Sequence, residues 1–161
     1  MFENPSLPIT ENKTHEHYMK AVSQASSKII KAWRREGMAI QKELLFPNDK
    51  PNNRPYSVDG YFIDDHLMFE VDGKTHEKTI ERDQKRDKHI EGIASGTGHK
   101  CYILRIPFII PEHLIYGELQ GKKRQAAKTD YQEWLENWAM VELANIPNRL
   151  RLAQLKDENT N

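Results

Sequence analysis

Asp59, Glu70 and Asp72 are the residues of this chain whose types and spacing could do chemistry together, and the stretch LMFEVDGKTHEK (residues 67–78) holds two of them. Residues two apart on a strand project from one face. In LMFEVD, Glu70 and Asp72 therefore point together, while Phe69 and Val71 point away. The preceding YSVDGYFIDDH reads as the other arm of a hairpin turning at Asp64–Asp65, a register that sets Asp59 opposite Glu70. Three carboxylates on one patch repel, raise one another's pKa and destabilise the fold unless a cation neutralises them. A hard divalent ion does this through oxygen ligands. Mg²⁺ fits because it keeps waters and binds phosphate, and Mn²⁺ could substitute. Gly73 permits a sharp exit from the strand, after which Lys74 and His76 would overhang the acids and supply a positive charge and a titratable base.

The next segment, TIERDQKRDKHI, repeats the theme at helical spacing. Asp83, Arg86, Asp87 and Ile90 fall at i, i+3, i+4 and i+7, so one face carries two acids and an arginine before turning apolar. A solvated face of i,i+4 ion pairs has the same spacing. Two basic groups are candidates for phosphate contact: Lys31, Arg34 and Arg35 near the end of the first helical segment, and Lys122, Lys123 and Arg124 in GKKR. Trp134 and Trp138 lie on an apolar stripe and read as packing residues.

The elements that must position these groups can be traced from periodicity. A loose arm over residues 1–13 precedes a domain over 14–146, and 147–161 reads as a C-terminal tail. Residues 14–36 read as a helix with Val22, Ser26, Ile29, Ile30 and Trp33 on one face, closed by Gly37. Strands follow at MAIQKELLF and at 56–63 and 66–72. Then come a charged helix at 78–94, the buried strand CYILRI and a last helix at 129–145, entered through GKKR as a loop. The order helix, three strands, helix, strand, helix predicts one α/β domain with a mixed sheet flanked by helices.

Bulk composition narrows the function classes. With 37% hydrophobic and 30% charged residues, the chain suits a soluble domain with a modest core. The apolar stretch 103–110 is broken by Arg105 and Pro107 and is too short for a bilayer, so no membrane partner is expected. No cationic start with an apolar segment behind it marks a secretory signal. The lone Cys101 sits in an apolar run and forms no internal disulfide, so the expected setting is intracellular, cytoplasmic or nucleoid-associated. The formal charge is zero, yet residues 59–91 hold ten acids against six bases. That acidic middle between mildly basic flanks suits either a cation site in a polyanion-binding protein or a charged helix.

The spacing of Asp59 and Glu70-Val71-Asp72 resembles the PD-(D/E)xK nuclease signature. The longer string VDGYF…FEVDGKTH…RDQKRDKHI…GHKCYILRI is similar to the very-short-patch-repair branch of that superfamily over about residues 55–106, and to phage homing endonucleases of the EDxHD type. The resemblance implies a PD-(D/E)xK core and a Mg²⁺-dependent DNA endonuclease acting on double-stranded DNA, with Asp59, Glu70 and His76 matching site residues. Palindromic double-strand cleavage would call for a homodimer. Two departures stand out. Asp72 occupies the signature lysine's place, leaving Lys74, Lys85 or His76 to supply its function. A glutamate common in the first helix of relatives is replaced by Ser26 and Ser27, with Glu16, Glu36 or Glu43 as possible substitutes. These departures keep open a catalytically silent DNA-binding or assembly subunit, and an RNA nuclease is a third reading.

Overall fold

The computed structural model describes residues 20–21, 24–73, 80–96, 98–114 and 120–160. Its elements are α1 (24–35), β1 (Ile40–Phe46), β2 (Tyr56–Phe62), β3 (Leu67–Asp72), α2 (Ile80–Ala94), β4 (Tyr102–Pro107), a 3-10 turn at Glu112–Leu114, and α3 (Gly121–Thr160). The four strands form one mixed sheet in the order β1-β2-β3-β4. The first two pairings are antiparallel, and β3 runs parallel to β4. A parallel pair cannot be closed by a tight turn; here the connection runs through α2. The α/β class, the single domain and the element order match expectation.

Helices cover both faces of the sheet, which explains why Leu67, Met68 and Phe69 are all buried in succession. On one face Leu67, Phe69, Val71, Leu104 and Ile106 pack under α1 and α3 with Trp33 and Leu135. Trp33 ties these layers together: its ring lies 5.3 Å from Phe62 and 5.1 Å from Phe69, and its Nε1–H donates to the Ala139 carbonyl at 2.8 Å. On the other face Val58, Met68, Cys101 and Ile103 meet Ile90, the buried residue of α2. Toward the C-terminal ends of β3 and β4 that apolar contact stops. There Glu70, Asp72 and Arg105 face the charged side of α2.

Local signals close α1 as expected. Gly37 has φ 91°, its N–H donates to the Arg34 carbonyl at 3.0 Å, and the Met38 N–H donates to Trp33 at 3.1 Å. A left-handed residue with this bond pair terminates many helices. The hairpin also matches: Phe62 pairs with Leu67, Tyr61 with Met68 and Gly60 with Phe69, around a turn centred on Asp64–Asp65.

The β1–β2 ladder pairs Lys42 with Gly60 and Leu44 with Val58 but skips Glu43 and Asp59. Glu43 adopts φ 54°, and both strands change faces across the gap. Ile40 and Phe62 belong to the first core cluster, whereas Leu44 and Val58 belong to the second. An unbroken strand would keep residues four apart on one side.

Two expectations about the C-terminus need correction. GKKR is the first turn of α3 rather than a loop, and the expected tail over 147–161 is helical through Thr160. Pro147 lies inside the helix, although proline removes a backbone donor and crowds the preceding turn. Contacts within the helix and to the rest of the fold carry it past the proline. Arg149 donates to Glu142 across the proline at 2.6 and 3.1 Å, Leu150 and Ala153 pack on the core, and Asp157 accepts from the Tyr102 hydroxyl. Trp134 and Trp138 pack against Phe108, as their apolar stripe implied. Among the described residues no helix is long and apolar enough to cross a membrane.

A Cβ added at Gly60 would fall 2.3 Å from the Phe69 ring. Gly60→Ala should therefore cost about 2–3 kcal/mol by overpacking, measured as a lower midpoint in urea unfolding.

Candidate functional site

Four elements bring charge to the C-terminal end of the parallel pair. Glu70 and Asp72 leave β3 on the α2 side, and Arg105 is the β4 partner of Glu70 in the register. From α2, Asp83, Arg86 and Asp87 approach over about one helical turn. β2 supplies Asp59. These groups surround an open cleft of about 430 Å³ whose lining includes Ser57, Asp59, Glu70, Asp72, Asp83, Arg86 and Arg105, with Ser26 from α1 at its edge.

The acids are held by a defined set of bonds. Asp59 Oδ2 accepts the Val71 N–H at 2.8 Å, taking over a backbone donor of β3 just past the last β2–β3 ladder pair. Arg86 clamps Glu70 through two parallel bonds of 2.9 and 3.0 Å, donates to Asp87 at 3.1 Å, and donates to the Ser57 carbonyl. Its guanidinium also lies 5.6 Å from the Tyr56 ring centroid. Arg105 grips Asp87 with Nε at 2.8 Å and Nη2 at 2.5 Å. Its Nη1 reaches Asp72 Oδ1 at 2.8 Å and Glu70 Oε2 at 3.3 Å. Side chains of Glu70, Asp72 and Asp87 keep only 17%, 12% and 16% of their exposure.

Burial dominates the electrostatics. It pushes the Glu70 pKa up to about 7 despite the two arginines, with Asp59 adding repulsion. Asp59 is raised as well, mainly by burial and against the Val71 bond, with Asp72 contributing. Arg105 is desolvated too, yet its bonds to Asp87 and the charges of Glu70, Asp72 and Asp87 hold its pKa above the ordinary value. With every group ionised, the acids Asp59, Glu70, Asp72, Asp83 and Asp87 outnumber Arg86 and Arg105.

The donor chemistry suits a divalent cation, since carboxylate oxygens are what Mg²⁺ and Mn²⁺ prefer. Among the described residues, however, no three Asp, Glu, His or Cys side chains are grouped so as to hold a metal between them. The carboxylates lean on the arginines instead. Asp59, Glu70 and Asp72 would be the residues to hold the ion after local rearrangement.

Of the site residues inferred from sequence, Asp59, Glu70, Asp72, Asp83 and Arg86 line the cleft, and Asp87 joins them through both arginines. Lys74 and His76 lie outside the described residues, as does Glu16. Ser26 reaches the cleft from the first helix. Glu36 and Glu43 are exposed and do not line it. The basic candidates Lys31, Arg34, Arg35, Lys122, Lys123 and Arg124 are exposed and also lie off its lining. Arg34 has a structural task, donating to the Ile40 carbonyl at 2.7 and 3.3 Å and joining α1 to β1. Arg105 is the residue that motif reading left without a role. Its signal was a lone cation inside the apolar run CYILRI, on a strand with both faces covered.

The raised Glu70 pKa has a thermodynamic consequence. A folded-state pKa above the unfolded value contributes stability at low pH that is lost as pH rises through about 7. Glu70→Gln lacks that slope. Its unfolding free energy relative to the wild type should rise between pH 5 and pH 8 by roughly 2–3 kcal/mol, whatever constant offset the lost Arg86 pairing adds. Chemical denaturation across that range measures the difference, and parallel curves would show that Glu70 titrates normally.

Comparison of the chain with protein-family models, curated proteins and solved structures finds no match.

Proposed function

We propose that this chain is a Mg²⁺-dependent DNA endonuclease of the PD-(D/E)xK type, site-specific in the manner of a homing enzyme. The observation that carries the reading is the convergence of Asp59, Glu70 and Asp72 on one half-buried cleft that holds more acidic groups than arginines. A structural protein gains little from such a cluster, because burying acids costs free energy unless each is paired. The order of motifs from Asp59 to Arg105, similar to the very-short-patch-repair branch, agrees with it.

A bound divalent ion would supply a water of lowered pKa and neutralise charge on the phosphoryl oxygens. The chain's own residues have separate tasks. Asp59, Glu70 and Asp72 would be the residues to hold the ion, and the Val71 N–H fixes the rotamer of Asp59. Arg86 keeps Glu70 turned into the cleft through its double bond pair. Asp83 and Asp87 on α2 set the position of the arginines and the local field. His76 is the residue type able to transfer a proton near pH 7, and Lys74 is of the type able to add positive charge; both lie outside the described residues. Exposed Lys31, Arg35 and Lys122 to Arg124 would contact the backbone of double-stranded DNA away from the cleft, giving an affinity that falls steeply with salt. The RNA-nuclease alternative differs only in substrate, and competition with RNA separates the two.

A second reading has one observation in its favour. Arg86 and Arg105 already satisfy Glu70, Asp72 and Asp87, and Asp72 stands where the signature has lysine, which suits a silent DNA-binding subunit.

Supercoiled plasmid incubated with Mg²⁺ distinguishes the two. The wild type should nick or linearise it, and EDTA should stop the reaction. Asp59→Asn, which keeps an acceptor for Val71, and Glu70→Gln should each slow cleavage by at least about 100-fold. Cleavage surviving both substitutions defeats the site assignment. DNA binding without cleavage by the wild type supports the silent subunit.

A further inference from the structure

The cleft poses a problem that its acids do not solve. Phosphodiester hydrolysis places negative charge on the phosphoryl oxygens, and the signature position for a lysine is occupied by Asp72. Among the described residues that line the cleft, the cations are Arg86 and Arg105. Arg86 is committed, with both terminal nitrogens on Glu70 and one also on the Ser57 carbonyl.

Arg105 is held differently. One edge of its guanidinium, Nε and Nη2, is locked onto the two oxygens of Asp87 at 2.8 and 2.5 Å. The remaining nitrogen, Nη1, reaches toward the sheet and bridges Asp72 at 2.8 Å and Glu70 at 3.3 Å. Those two carboxylates belong to the group that a divalent ion would use. A metal and Nη1 therefore compete for the same residues. A guanidinium stays protonated at any working pH and cannot act as the base. Its planar fork accepts carboxylate or phosphate oxygens with the same geometry, and Asp87 on α2 can keep its grip while Nη1 changes partner.

We infer that Arg105 is a displaceable counter-ion. Its Nη1 holds Asp72 and Glu70 in the metal-free protein, is released when a divalent ion claims those carboxylates, and then grips an oxygen of the substrate phosphate. The second half of this inference rests on the endonuclease reading; the first half rests only on competition for Asp72 and Glu70.

The test uses the full chain with Arg105→Gln and Arg105→Lys, and Mn²⁺ as the probe. Calorimetric titration and thermal midpoints with and without Mn²⁺ read the competition, and plasmid cleavage reads the phosphate contact. Arg105→Gln should melt lower than the wild type without metal, bind Mn²⁺ at least as tightly, and gain more in melting temperature from it. Its cleavage should fall by about 100-fold or more. Arg105→Lys keeps a point charge without the fork; it should also bind Mn²⁺ at least as tightly as wild type and cleave roughly tenfold slower. Weaker Mn²⁺ binding by a factor of ten in either variant overturns the inference, because Arg105 would then be supporting the ligands rather than competing with them. Cleavage unchanged in Arg105→Gln overturns the phosphate contact. If Arg105→Gln does not fold, the lysine variant decides both halves. A wild type that cleaves nothing removes the endonuclease reading and the phosphate half with it, while the Mn²⁺ titration still decides the counter-ion half.

Discussion

Arg105 and Arg86 set against Asp59, Glu70, Asp72 and Asp87 form the constraint around which the rest of the molecule is arranged. Acids this buried cannot be left to water, and a guanidinium that loses its partner in such a site is strongly unfavourable. The pairing also needs the topology. Glu70 and Arg105 are neighbours because β3 and β4 run parallel in that register, and Arg86 and Asp87 reach them because the crossover between those strands is α2. Charge pairing and chain path are thus two descriptions of one arrangement.

Packing explains why the cluster sits where it does. In the middle of β3 both faces are covered by apolar residues, with Phe69 toward Trp33 and Met68 toward Ile90. α2 has a single buried residue, so its apolar contact with the sheet ends early and a polar cleft opens beyond it. Glu70, Asp72 and Arg105 all lie in the second halves of their strands. Crevices at the carboxyl ends of parallel strands are the usual ligand positions in α/β sheets. The break in the β1–β2 ladder at Glu43 and Asp59 serves the same end of the sheet, where the Asp59 side chain takes up the Val71 N–H.

The electrostatic balance separates two ways of neutralising buried acids. Arginines satisfy the geometry of Glu70, Asp72 and Asp87 but leave negative charge unmatched, and burial answers by lifting the pKa of Glu70 to about 7 and raising that of Asp59. A carboxylate poised in this way releases a proton when a stronger counter-charge arrives. The long α3 helix steadies the cluster from behind: Trp33 bonds to Ala139, and Glu142 and Arg149 pair across Pro147.

Local periodicity determined much of this molecule. Alternation in YSVDGYF and LMFEVD sets the hairpin register as observed from Phe62–Leu67 to Gly60–Phe69, because slipping by one residue would turn the apolar side chains to the wrong face. Gly37 marks the end of α1, and the acids of the cleft could be named because strand and helix spacings place side chains without knowledge of distant contacts. Only the tertiary structure decided which cations meet those acids. Arg105 lies thirty-three residues beyond Asp72 and comes to it only through the parallel pairing, a long-range choice that no local period records. The same reason carried α3 through Pro147. A proline that ends a helix by its own chemistry was overruled by the packing of Leu150 and Ala153 on the core and the bond from Tyr102 to Asp157, partners set by the fold, while the Glu142–Arg149 pair spans it within the helix.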